Sequence, residues 1–323
     1  MVSTRSWRNG SAAERDFPVE RVSDCIADGD GFVWVDYTDP DASDLRQLED
    51  ELDIHALAVE DAVERGQRPK LDRYRDSLFL VVYDVQGRDR DGGLVTREVK
   101  AFVTKHALVT IHGPEVDTAA MERRLTSNAD LAGHGVPWLV WGLLDSVVDH
   151  ATAEIEAIEQ DIDDLEDDLF ERGDPREQQI QRRSFALRKA LGVMRRLVVP
   201  TKDSVASLLH GDAETVADGV RPYFRDVEDH LVSIADSVEE LRDAVSSVLD
   251  TNLNLASNRQ NTVMKKVTSW AAIIAIPTAI TGFFGQNVTF PGESSWSGLY
   301  LSLSLIVVTS LVLYRAFKHR DWL

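Results

Sequence analysis

Residues 267–284 hold no charged side chain. At about 1.5 Å of rise per residue, a helix of that length spans about 27 Å, close to the hydrocarbon thickness of a bilayer. A second apolar run, residues 299–317, follows near the end of the sequence. A core helix of a large soluble protein shares this composition, but two such runs so late leave little chain to bury them. The expectation is a membrane anchor of two helices, residues 267–284 and 299–317. An external loop at 285–298 joins them, and a cytosolic basic tail follows at 318–323.

Residues 1–16 are polar and lack an apolar stretch, so they are expected to be disordered and not a signal peptide. Cys25 is the single cysteine, which excludes an intramolecular disulfide and suits a reducing compartment. The formal charge of -20 argues against a nucleic-acid binder, which presents a basic face. The 55 acidic residues are mostly aspartate, and lysine is scarce beside arginine. That balance suits a halophile, whose salt screens self-repulsion; plain acidic drift gives the same counts.

Residues 17–135 read as a mixed α/β domain. Strands are expected at 32–37, 77–85 and through the run 100–112, and short helices at 44–52 and 57–65. Residues 87–93 read as a hairpin turn; Asp89-x-Asp91-Gly92 echoes a calcium loop without its downstream glutamate. Residues 136–266 change to long helices forming a stalk or funnel. Val148, Ala151, Ile155, Ile158, Ile162, Leu165 and Leu169 alternate steps of three and four, a heptad seam. A second helix is expected at about 177–210, bent near Pro200. In the third, Val227, Leu231, Ile234, Val238, Leu241, Val245, Val248, Asn252 and Leu255 keep the same rhythm. No Gly or Pro falls between Tyr223 and Pro277, so one helix of roughly 90 Å is expected to enter the membrane. The charge run 161–168 reads as a solvated helix face.

Arg259, Lys265 and Lys266 precede the first span; Arg315, Lys318 and Arg320 flank the end of the second; the loop carries no Lys or Arg. The positive-inside rule places both termini in the cytosol of a cell-membrane protein. Asn261, Met264, Thr268, Ala271, Ala275, Thr278, Gly282 and Gly285 form a small or polar stripe on the first span. Trp270, Ile273, Ile274, Ile276, Ile280 and Phe283 fall elsewhere. Such a stripe suits close packing of copies around a wet axis, or equally a dimerisation seam with no lumen. Pro277 frees one carbonyl within the span.

The segment Asn261-x-Val263-Met264-Lys265, Pro277, the closing Gly285-Gln286-Asn287 and the terminal Trp322-Leu323 resemble the CorA family of divalent-cation channels. Residues 55–81, 143–149 and 222–243 carry the likeness upstream. The resemblance implies a homopentamer in lipid, with a cytosolic α/β domain, a helical funnel and a pore lined by five copies of the first span. It implies that Asn287 rings the external mouth, with carbonyls of Gly285 and Gln286 behind it. Asn261, Met264, Val267 or Thr268, Ala275 and Thr278 would line the path, with Ala271 and Gly282 on the same stripe. Neutral oxygens suit Mg²⁺, which surrenders its inner waters reluctantly. The resemblance further implies an intracellular regulatory metal site between Asp61, beside Glu60, and Asp226 of a neighbouring protomer. Asp145 and Asp149 would form a second, weaker site. No resident cofactor is implied; Mg²⁺ is both cargo and regulatory ligand.

The family signature is Gly-Met-Asn, and Gln286 replaces its methionine. The ion therefore stays open among Mg²⁺, Co²⁺, Ni²⁺ and Zn²⁺. Glu293 is the one acid of the external loop, either a cation-concentrating ring or a solvated charge. No phosphate-cradling glycine loop or HExxH pattern supports an enzyme, and His106 and His112 read as strand-edge histidines. The alternatives are a zinc transporter of the same family and a non-conducting membrane-anchored coiled-coil scaffold.

Overall fold

The computed structural model describes residues 1–323 except 28, 30, 53, 171–176, 212–215, 217 and 287–295. It divides into two units, Met1–Val248 and Leu249–Leu323.

The first unit is built on a seven-stranded sheet. Its strands are β1 (Val2–Arg8), β2 (Ser11–Arg15), β3 (Gly31–Thr38), β4 (Lys70–Arg73), β5 (Leu78–Arg88), β6 (Leu94–Val103) and β7 (Ala107–His112). Their order is β2-β1-β3-β7-β6-β5-β4, antiparallel throughout except for the parallel pair β3–β7. Residues 31–37 and the whole of β7 are buried, as expected of central strands covered on both faces. On one face Val33, Val35, Phe79, Val81, Phe102 and Val109 form a core with Val22, Leu45, Ala58 and Val59. The last four come from α1 (Val22–Ile26), α2 (Ala42–Leu52) and α3 (Ala56–Val63). On the other face α5 (Val136–Phe170) packs on β5 and β7, with α4 (Thr118–Ser127) against it.

Two expectations are corrected. Residues 1–16 are not disordered: β1 pairs with β3 from Val2↔Tyr37 to Arg8↔Gly31, and β2 pairs with β1. The strand is polar because its inward positions are hydroxyls. Thr4 Oγ1 donates to the Phe17 carbonyl at 2.5 Å, and Ser6 Oγ accepts from Glu14 N at 3.1 Å. On the opposite side Trp7 stacks on Phe32 at 5.3 Å. The run 100–112 is two strands, not one, because Thr104 N turns back to the Ala107 carbonyl at 2.9 Å. His106 therefore sits in a hairpin, while His112 is buried. The hairpin at 87–93 does form, and Asp89 accepts from the backbone of Asp91 and Gly93 within it, leaving that carboxylate committed to the turn. Neither β4 nor α4 was anticipated.

The long helices follow the seams. Every seam position of α5 from Val148 to Leu169 is buried, as are those from Val227 to Asn252 on α7 (Arg221–Phe284). Between them α6 (Glu177–His210) runs through Pro200. Residues 163, 164, 166 and 167 face solvent, as expected of the charge run.

The second unit consists of the end of α7 and α8 (Trp296–His319). Their most apolar windows have mean hydropathies of 1.6 and 1.9, with only 6% of each window buried. α8 extends beyond the expected 299–317 at both ends. At its close Asp321 adopts φ 54, which turns the chain so that Trp322 stacks on Phe317 at 5.7 Å.

Candidate pore face and acidic walls

On α7, Ser269 is fully buried and Ile273, Ile276 and Ile280 are half-buried. At about 100° per residue these four fall on one side of the helix. Asn261, Met264, Val267, Thr268, Ala271, Ala275, Thr278 and Gly282 are all exposed. Their directions centre roughly 200° away from the sheltered four, so the small or polar stripe is turned away from the face that packs. The bulky exposed side chains Trp270, Ile274 and Phe283 lie outside the stripe, where lipid can take them.

Two threonine hydroxyls near the end of this helix are held by its own carbonyls. Thr278 Oγ1 donates to Ile274 O at 3.2 Å and Thr281 Oγ1 to Pro277 O at 2.9 Å. Each oxygen keeps lone pairs for water or a hydrated ion. Pro277 lacks the N–H that the Ile273 carbonyl would receive, yet the helix continues to Phe284. Gly285 N then donates to Thr281 O at 2.9 Å and Gln286 N to Phe283 O at 3.3 Å. A Cβ on Gly285 would stand 3.2 Å from Thr281 O, a tight contact. Gly285 and Gln286 are exposed; Asn287 and Glu293 lie outside the described residues. At the other end of the stripe Asn261, Met264 and Thr268 share a cavity of about 540 Å³ with Lys265 and Trp322.

In the first unit the expected regulatory residues fall into two places. Asp145, on α5, is 6% exposed. Arg124 of α4 brings Nε to 2.7 Å from Asp145 Oδ2, a charge contact without an aligned hydrogen bond, and its other arm pairs with Asp149. Burial pushes the Asp145 carboxyl above the usual range. Arg124 and His230 oppose that shift, and Asp226 adds to it. Asp226 itself sits 3.9 Å from His230 Nδ1 on the next turn of α7. Asp145 and Asp226 are thus electrostatic neighbours within one chain, although the sequence reading had assigned them to separate sites.

Asp61 lies elsewhere, on α3. Its Oδ2 accepts from Lys70 Nζ at 2.9 Å, and the same ammonium reaches Asp72 Oδ2 at 2.6 Å. Glu60, beside it, is exposed. Among the described residues no group of three or more His, Cys, Asp or Glu is placed to hold a metal.

Sequence reasoning missed Arg124, Lys70, Asp72 and His230. It also missed two histidine pairs: His112 Nε2 to Asp36 Oδ1 at 2.9 Å, and His150 Nδ1 to Asp84 Oδ1 at 2.6 Å. Lys70 and Asp72, as alternate residues of a strand, and His230, one helical turn after Asp226, left a sequence signal.

An α/β unit, long helices and two apolar spans, one with an exposed small or polar stripe, make up a membrane protein. Residues 29–319 match the family described as CorA-like Mg²⁺ transporter protein. The chain belongs to that family: it is a divalent-metal transporter with two C-terminal membrane spans, in a family of transporters rather than enzymes. It is 30% identical over 299 residues to the cobalt/magnesium transport protein CorA of Thermotoga maritima, covering 90% of this chain and 83% of the relative. It is 28% identical over 317 residues to the zinc transport protein ZntB of Yersinia enterocolitica, covering 93% and 90%. The fold superposes on the complete CorA magnesium transporter of Methanocaldococcus jannaschii with a TM-score of 0.80 at 18% identity, covering 100% of this chain and 99% of that one.

Proposed function

We propose that this protein is a channel that admits Mg²⁺, with Co²⁺ and Ni²⁺ as further cargo, down its electrochemical gradient. Its pore would be lined by the stripe on α7 in a homo-oligomer of five copies, with both termini in the cytosol. The observation that carries this reading is the opposition of the two faces of α7. The sheltered face is spent on packing, and the small or polar face is left for copies around an axis. A path without charged side chains holds a hydrated cation weakly at several oxygens, which favours both entry and release. An inside-negative potential drives a divalent ion by about 4.6 kcal/mol per 100 mV, twice the single-charge value. Gln286 adds neutral oxygen and nitrogen at the mouth and no soft ligand, which gives no reason to favour Zn²⁺.

On the same reading, internal Mg²⁺ closes the channel by bridging protomers at Asp61 and Asp226, with Asp145 and Asp149 as the second site. Facing carboxylates repel until a cation neutralises them. The test is uptake of Mg²⁺, Co²⁺, Ni²⁺ and Zn²⁺, offered separately, into proteoliposomes under an imposed potential, with Asn287→Ala in parallel. Potential-driven Mg²⁺ uptake that is lost in Asn287→Ala supports the reading. Zn²⁺ uptake that needs a pH gradient would place the protein with the zinc transport relatives. No flux from an assembled oligomer would leave a scaffold.

A further inference from the structure

The two alternate residues Lys70 and Asp72 share one face of β4, so their side chains rise together toward Asp61 on α3. The Lys70 ammonium stands between the two carboxylates, 2.9 Å from Asp61 and 2.6 Å from Asp72, above the Phe79 ring at 5.4 Å. Burial works against charge on this lysine, but its hydrogen bonds to Asp72 and Asp61 outweigh that and hold its pKa above the usual value. The three side chains are 31%, 33% and 42% exposed, so the cluster is open to a hydrated ion from solvent. Glu60 has no recorded contact with the ammonium.

We propose that Lys70 is a tethered counter-ion occupying a two-carboxylate wall of Asp61 and Asp72, and that a divalent cation binding this wall must displace it. The inference rests on the regulatory reading above and extends it. It assigns Asp72 as the second carboxylate and makes Lys70 the residue that sets how much Mg²⁺ is needed. With the ammonium in place the wall carries one net negative charge, a weak attractor for a divalent ion. With the ammonium swung into solvent it carries two, which one Mg²⁺ neutralises. The ammonium and the metal therefore compete for the same oxygens, and the Mg²⁺ concentration at half-effect includes the cost of breaking both Lys70 pairs.

The test uses full-length protein reconstituted in nanodiscs. Its melting temperature and protease protection are followed as MgCl₂ is raised, for wild type, Lys70→Met, Lys70→Arg, Asp72→Asn and Asp61→Asn. Lys70→Met keeps an apolar stem on Phe79 without the charge, and is expected to lower the Mg²⁺ concentration at half-effect about fivefold, the scale of one partly exposed ion pair. Lys70→Arg restores a concentration near wild type, and Asp72→Asn raises it. If Lys70→Met lowers the metal-free melting temperature but leaves the Mg²⁺ midpoint where it was, Lys70 is only a structural tie and the inference is overturned. An Asp61→Asn protein that responds to Mg²⁺ like wild type sinks the regulatory reading itself. Loss of the response in Asp61→Asn with an unmoved midpoint in Lys70→Met sinks the competition alone.

Discussion

Asp145 is held almost out of water with Arg124 as its nearest cation, and Arg124 is also shared with Asp149. Arg124→Ala strands a buried carboxylate beside Asp226. It is expected to cost about 2–3 kcal/mol, the lower end for a broken buried pair because Arg124 is one-third exposed. A melting curve measures the loss, and Asp145→Asn in the same background should recover part of it. His112 behaves differently. Burial disfavours its charge, but the hydrogen bond to Asp36 and that anion's charge prevail and raise its pKa; His150 with Asp84 is shifted the same way. A histidine raised in the folded state contributes stability that is full below the unfolded value of about 6.5 and is lost as pH rises through the folded pKa. The melting temperature should fall as pH rises above about 6.5, less steeply in His112→Gln and least in the double variant with His150→Gln. A slope unchanged in the double variant would contradict the assignment.

Helix α5 depends on close approach to α4 at Gly142, where an added Cβ would lie 2.5 Å from Leu125 Cδ2 and 3.1 Å from Cγ. Leu125 is 4% exposed and has little room to swing, so Gly142→Ala should destabilise the first unit by about 1–3 kcal/mol, read by thermal melting. Helix α7 carries a contrast between neighbours. Ala275→Leu fills the small stripe and should cut ion flux at least tenfold at equal expression, while Ile276→Leu on the sheltered face should leave most of it. Such faces were legible beforehand, because Val148 to Leu169, Val227 to Asn252 and Ala275 to Gly282 repeat at helical steps within one element. β1 was not legible, since its inward positions are Thr4 and Ser6 and their partners belong to other segments. Nor was the His112–Asp36 pair, whose members are 76 residues apart. Periodicity reports which face is buried and is silent on which polar group meets which across the fold.

In the whole molecule, the fold serves transport only if the stripe on α7 faces water when copies assemble. Cys25 is the single native cysteine, so a Cys25→Ser background allows one probe thiol at a time. The most direct measurement places that thiol at Ala275 or at Ile276, adds a membrane-impermeant thiol reagent to proteoliposomes, and follows potential-driven Mg²⁺ uptake. The account expects Ala275→Cys to be modified and its flux to collapse, with Ile276→Cys protected and still conducting. Rapid modification at Ile276→Cys with a protected, freely conducting Ala275→Cys would put the water on the wrong side of α7 and contradict the account.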